Sequence, residues 1–477
     1  MDRNIVLKGI LWKLGERGGV QIIQFVVQLV LARLLTPNDY GVLAIVLVFI
    51  SLSNIFIQSG LPTALIQKKN TDIIDESSVF YTSMLISLSC IIIIWFTSPY
   101  IAIFYNDQEL SFYLRCISFI LIIGSFNSVQ IALISKKLAF NINFYSSIIS
   151  VVISAGIGIW MALSGWGVWS LIVQYASNII ISTIVIYILF PWKPSLKFSY
   201  TRTKNLFSFG SGIFTANLLS NLFTDIYSLI IGKIYSKGWL GFYDTGNRIP
   251  ATVANSLTTS VQSVLLPAFS LIQEDKDRIK VMMRRSVQVS AFFIFPVMFL
   301  LAAAAKPLIL ILLTEKWAFA IPFLQLACIL YAFYPIHSTN LQAINAIGRS
   351  DIFMKCEVQK KIVELIILCM TIWFSIYIMA VGRVISSLIA LYINMSPNRK
   401  FIHYGFKEQI MDLSKAFLIS LFVSIIVFAI SFLPISLWIM LIFQILIGLS
   451  LYIYLSDKYN NESFNYIIAT IKNFNQK

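Results

Sequence analysis

LARLLTPNDYGVLAIVLVFISLSNIFIQSGLPTALIQ, residues 31–67, holds in one stretch the pattern that the rest of the chain repeats. An apolar run ends near Arg33, Thr36-Pro37-Asn38-Asp39 makes a short polar turn, and residues 40–62 are again almost wholly apolar. A helical run of ~20 apolar residues matches the ~30 Å hydrocarbon core of a bilayer. Irregular backbone and open strand edges are not tolerated against lipid, because no water satisfies their N–H and C=O groups. The stretch therefore reads as the end of one membrane helix and the whole of the next.

Working outward, comparable runs cover 10–34, 40–62, 77–98, 112–134, 143–164, 167–190, 206–232, 240–268, 287–313, 318–346, 358–378, 382–396, 414–432 and 435–455. The fold class is an all-α polytopic membrane protein of about fourteen transmembrane helices. Composition agrees. Of the 477 residues 58% are hydrophobic and 12% charged, with a mean hydropathy of +0.82, about half the charge of an ordinary soluble chain. The net charge of +15 would suggest nucleic acid if it were clustered on a soluble surface. Here it is confined to short segments between apolar runs, which excludes that partner and points to orientation in a membrane. With the N-terminus cytoplasmic, the opposite side holds only Arg33, Arg115, Lys233, Lys237, Lys306, Lys316 and Arg383, and Arg17 and Arg248 fall inside spans. All other Lys and Arg lie on the cytoplasmic side, so both termini are expected there. The five cysteines make no CxxC or metal-ligand spacing, and the first residues carry no cleavage-site pattern, so the N-terminus is expected to be retained.

The chain also repeats itself. LARLLTPNDYG (31–41) returns 200 positions later as IGKIYSKGWLG (231–241), pairing Arg33 with Lys233 and Gly41 with Gly241, and P-TALIQ (62–67) is echoed by P-AFSLIQ (267–273). Six helices separate the copies, so both run in the same direction, as parallel transporter repeats do. The expected organisation is an N-lobe over 1–190, a basic cytoplasmic connector over 191–204, a C-lobe over 205–400, and two further helices with a cytoplasmic tail over 401–477.

Polar stripes interrupt four of the runs. Lys13, Arg17, Gln21, Gln24 and Gln28 lie within a narrow arc of the first helix, and Asn217, Asn221, Thr224 and Ser228, with Asp225 beside them, occupy its counterpart. Ser51, Asn54 and Gln58 form a stripe on the second helix; Asp244, Arg248, Thr252, Asn255, Thr259 and Gln262 form a longer one on its partner. Interhelical hydrogen bonding explains a single Gln or Asn. Matching stripes that carry charge favour a polar cavity, since a charge at the bilayer centre costs about 2.5 kcal/mol or more. The substrate-binding candidates are Arg17, Arg248, Gln21, Gln24, Gln28, Asn217, Asn221 and Asn255. Guanidinium groups suit an anionic head group, a diphosphate in particular, although Arg17 has Glu16 beside it and Arg248 lies one turn from Asp244. Asp225 and Asp244 are candidates for proton or sodium coupling, with simple charge balance as the alternative. Pro62, Pro250, Pro267, Pro296 and Pro335 mark bends or hinges.

Residues 31–67, together with IIGKIYSKGWLGFYDTGNRIPATVANSLTTSVQSVLLPAFS in the second half, resemble the polysaccharide transporter family, of the superfamily that also holds the MATE exporters and lipid II flippases. The resemblance covers roughly the first 400 residues. It implies two six-helix lobes in a V with two further helices, alternating access, and a Wzx-type flippase of the bacterial inner membrane. Such a protein moves undecaprenyl-diphosphate-linked oligosaccharides to the periplasmic leaflet for O-antigen, capsule or exopolysaccharide synthesis. Its implied partners are that lipid-linked substrate, membrane lipids, and a polysaccharide polymerase and chain-length regulator, with the transporter itself a monomer. Two other readings stay open: a MATE-type exporter of cationic small molecules, and a membrane glycan polymerase or ligase. The enzyme reading is disfavoured by short outer loops and by only two histidines, His337 and His403, in no metal-binding spacing. A channel lacks a filter-like repeat. With no GxxxxGK[ST] loop and no cofactor expected, energy would come from membrane potential or an ion gradient.

Overall fold

The computed structural model describes residues 3–58, 60–68, 71–272, 275–459 and 464–465. The side chains of Lys13, Glu16 and Arg17 lie outside the described residues, so the Arg17 assignment has no structural account. The chain forms two compact units, residues 1–241 and 242–477.

The first unit contains α1 (Arg3–Leu34), α2 (Pro37–Gln58), α3 (Leu61–Gln67), α4 (Ile73–Phe104), α5 (Gln108–Ser118), α6 (Ile120–Lys136), α7 (Phe140–Leu163), α8 (Val168–Leu189) and α9 (Tyr200–Ile234). Helix α10 (Lys237–Leu271) begins in it and continues into the second. There follow α11 (Lys276–Ala303), α12 (Ala305–Leu313), α13 (Ile321–Ala332), α14 (Tyr334–Ala346), α15 (Ser350–Thr371), α16 (Ile376–Met395), α17 (Asn398–Phe401), α18 (Phe406–Ala429) and α19 (Leu437–Lys458). Division by compactness differs from division by repeat: α9, which heads the second repeat, packs against α2, α3 and α4.

Among the described residues ten helices are long and apolar enough to span a membrane, or eleven when the bent α9 is taken as one span. The long helices that fall short as unbroken spans are α1, α9, α10 and α15. Three of these carry the polar stripes read from sequence. The fourth corrects that reading. The eleventh run was expected at 358–378, with Lys355 ahead of it; instead α15 covers Ser350–Thr371, so the helix begins eight residues earlier, takes in Lys355 as well as Lys360 and Lys361, and ends at Thr371. Hydropathy located the run by its apolar half, IVELIILCMT, whereas backbone hydrogen bonding carries the helix on through the charged half.

Local chemistry explains the breaks. Pro62 lies at the start of α3 and Pro335 at the start of α14, where the missing N–H costs nothing; Pro296 lies inside α11. Asp72 caps α4, forming a capping box with Asp75. Each unit closes on its own apolar cluster. Leu61, Leu65, Val79, Phe80, Val129 and Leu133 pack in the first, and Phe292, Ala303, Ile419, Val423, Val427 and Tyr452 in the second. The C-terminal pair is tied in by polar contacts as well: Asp412 of α18 receives two donors from Arg284 of α11, at 3.0 and 2.7 Å, and the Tyr404 hydroxyl at 2.7 Å.

Candidate functional site

In the first unit the polar stripes of α2 and α9 meet. Ser51 donates to Asp225 Oδ2 at 2.9 Å, joining a hydroxyl of one stripe to the carboxylate of the other. Two further bonds of the α9 stripe run along its own helix: Asn221 Nδ2 donates to the Asn217 carbonyl at 2.9 Å and Thr224 to that of Ser220 at 2.9 Å. Asn217 is exposed and Asn221 half-buried. On α1, Gln21 is exposed, and Gln24 and Gln28 are half-buried.

The turns of the two repeat copies touch each other. A Cβ built on Gly41 would collide with the carbonyl of Lys237, and one built on Gly241 with the carbonyl of Pro37. Adding 200 to one contact and subtracting it from the other exchanges them, so the contact has the two-fold form that the repeat implies. Only glycine lets the first turns of α2 and α10 approach so closely. Around this clasp Lys237 pairs with Asp107 at 2.6 Å, Tyr105 donates to the Leu229 carbonyl at 3.1 Å, and Asp39 accepts from the Thr36 N–H at 2.8 Å and its hydroxyl at 2.7 Å. At its other end α9 is held by Arg202, which donates to Asp72 at 2.9 Å and to buried Asp75 at 3.3 Å. Between the two ends the helix bends by 53° near Ser208–Gly210. The connector before it is pinned to the start of α4 by Trp192 to Glu76 at 2.7 Å, Ser195 N–H to Ser77 at 2.8 Å and Ser199 N–H to Ser78 at 3.0 Å.

In the second unit Arg248 pairs with Asp244 at 3.0 Å along α10, each about one-third exposed. The local pairing that the sequence allowed for Arg248 therefore occurs, through the single nitrogen Nη2. Gln262 donates to Ser338 at 2.6 Å, and Asn255 is exposed. Sequence reading missed three features here. Lys360 pairs with Glu357 at 2.6 Å and Lys361 with Glu364 at 3.0 Å, near the middle of α15. Arg383 of α16 donates to the hydroxyl of buried Tyr243. His337 contacts Asn394 at 3.0 Å and Ser387 at 3.5 Å, in a polar cluster continued by Asn398 donating to Asn340 at 2.7 Å. The signal for the first was present: KCEVQKKIVEL places Lys360 and Lys361 within one helical length of Ser350. Nothing in the sequence pairs positions 243 and 383, or 337 and 394. Among the described residues no group of three or more His, Cys, Asp or Glu is placed to hold a metal.

Residues 30–322 match the protein family described as "Polysaccharide biosynthesis protein". The succinoglycan biosynthesis transport protein ExoT of Rhizobium meliloti (strain 1021) is 24% identical over 352 residues, 74% of this chain and 71% of that protein. The lipopolysaccharide biosynthesis protein WzxC of Escherichia coli (strain K12) is 23% identical over 69% of this chain and 68% of its own length. Among solved structures the lipid II flippase MurJ, in an inward closed conformation, superposes with a TM-score of 0.76 at 17% identity, covering 95% of this chain and 99% of that one. An inward-facing multidrug resistance MATE family transporter of the MOP superfamily gives 0.53 at 14% identity, over 84% of this chain and 98% of that one. The fold is the one these transporters share.

Proposed function

We propose, for a chain that belongs to the polysaccharide biosynthesis protein family, that it is a flippase for undecaprenyl-diphosphate-linked oligosaccharides in the bacterial inner membrane, and a transporter rather than an enzyme. The observation that carries this reading is Arg248, a guanidinium about one-third exposed within the polar stripe of a long helix, paired with Asp244 at 3.0 Å. An arginine grips phosphate oxygens with paired donors and keeps its charge at any physiological pH. Its in-helix carboxylate offsets part of the cost of holding that charge when no substrate is bound. A diphosphate head group would compete with Asp244 for the same donors, so binding exchanges one ion pair for another.

Alternating access requires one end of the pathway to close while the other opens. The Gly41–Gly241 clasp is the closure we assign to the end that charge distribution puts outside. It sets backbone against backbone at Gly41 and Gly241, with Tyr40, Val42 and Leu240 buried beside it. Coupling to membrane potential fits a charged cargo, at ~2.3 kcal/mol per charge per 100 mV, with Asp225 and Asp244 as candidate ion carriers. A MATE-type exporter of organic cations is the second reading, favoured by those same two aspartates. Extraction of lipids from cells with and without the gene separates the two. The flippase reading expects complete undecaprenyl-linked units to accumulate as surface polysaccharide is lost. Unchanged intermediates with new sensitivity to cationic compounds would replace it by the exporter.

A further inference from the structure

On the first unit, α4 and α9 diverge near the clasp and leave an apolar groove of about 590 Å³ between them, floored by Phe49 of α2. Its walls are two helical stripes of the same spacing, Thr97, Ile101 and Phe104 on one side and Ile226, Ile230 and Lys233 on the other. The helices are joined again at its end by the Tyr105 bond to the Leu229 carbonyl and by Lys233, which donates to the Phe104 carbonyl and sits 4.6 Å from that ring's centre. Tyr100 and Phe104 on its rim are 75% and 53% exposed.

The groove is open at the surface, and apolar walls left unfilled forfeit dispersion contacts. Water does not fill such a space when its walls offer few polar partners. Hydrocarbon does. The lining is apolar except for Thr97, two tyrosines and one cation, and includes no carboxylate. A lysine at the end of a membrane helix extends its ammonium to head-group depth while its stem lies along apolar surface. We infer that this groove binds one acyl chain of an anionic phospholipid, with the lipid's phosphodiester on the Lys233 ammonium. One of that ammonium's three N–H donors goes to the Phe104 carbonyl, and the remaining donors suit a single phosphate oxygen. A lone lysine fits a singly charged phosphodiester; a diphosphate is better held by the paired donors of arginine.

A lipid in this place would wedge α4 from α9 beside the clasp, so the bilayer's anionic lipid content would act on its opening. The inference rests on the membrane-transporter reading but not on the identity of the cargo. The test uses the full chain in vesicles of phosphatidylcholine containing one-fifth phosphatidylglycerol, with a trace of either lipid carrying a diazirine in its acyl chain. Photolysis is expected to label peptides spanning 97–105 or 226–234, about fivefold more with the glycerol lipid than with the choline lipid, the scale of one lysine–lipid attraction. Lys233→Gln should abolish that preference, Lys233→Arg should keep it, and Ile230→Trp, which fills the groove, should remove labelling by both lipids. Equal labelling by the two lipids, an undiminished preference in Lys233→Gln, or displacement of the label by an undecaprenyl diphosphate rather than by phosphatidylglycerol would overturn the assignment. An export assay on the same variants is read separately. Lack of export by the wild type would refute the flippase while leaving the labelling result standing.

Discussion

Helices α2 and α10 hold the same place in the two repeat copies, begin at the same glycine clasp, and then part company. Helix α2 is 22 residues long, apolar enough to span a membrane, and its stripe carries only Ser51, Asn54 and Gln58. Its continuation is broken before Pro62, which starts α3. Helix α10 is 35 residues long, runs through the matching Pro267, and bears Asp244, Arg248 and Asn255. The position 200 residues before Arg248 is Val48, which is 4% exposed. The two helices thus share the contact at which both copies must fit each other and differ along the rest of their length. Helix α2 carries no charge beyond Asp39 in its first turn, and α10 carries, farther along, a charge that a membrane tolerates only where it is used or paired.

The largest effect should come from the contact the two helices share. Gly41→Val and Gly241→Val each drive a side chain into the opposing backbone, an overpacking that typically costs 1–3 kcal/mol. Because the contact is two-fold, the two variants should lower export alike, by about tenfold or more, while the protein still inserts; a large difference between them, in complementation at matched abundance, would break the symmetry argument. Next comes the charge present only on α10. Arg248→Ala should reduce export about tenfold or more with insertion and abundance intact, Arg248→Lys should retain part of it, and Asn54→Ala on α2 should have little effect. Wild-type export from normally expressed Arg248→Ala would remove Arg248 from the site. The smallest effect is expected at Ser51→Ala, which deletes the hydroxyl bonded to Asp225. Interhelical bonds of this kind average about 0.6 kcal/mol, so the thermal midpoint in detergent should fall by about 1–2 °C and export by less than about threefold. A larger loss of export without a larger midpoint shift would promote Asp225 from packing to coupling.

Several features are legible in the sequence alone. Spans such as 143–164 and 167–190 lie close to α7 and α8, because an apolar run bounded by Ser164-Gly165-Trp166-Gly167 has one way to satisfy its backbone in lipid. The repeat was legible from Arg33/Lys233 and Gly41/Gly241. Legibility failed where polarity and helicity part: the start of α15 was placed at 358 rather than Ser350 because SDIFMKCE is polar, and a hydropathy window cannot see that Glu357 is paired with Lys360 within the same helix.

The amino-acid sequence by itself determined the class of protein, the family, the repeat, and the positions of the polar stripes. These follow from local rules, the length of a bilayer span and the cost of charge within it. Only the tertiary structure decided which of those residues meet. Ser51 finds Asp225 from 174 positions away, Tyr243 finds Arg383 across 140, and the two glycines face carbonyls in the opposite copy. The groove beside Lys233 likewise exists only because α4 and α9 diverge. The reason is physical: a stripe fixes the direction a side chain takes from its own helix axis, but its partner is set by helix crossing angles and packing, which no single segment encodes.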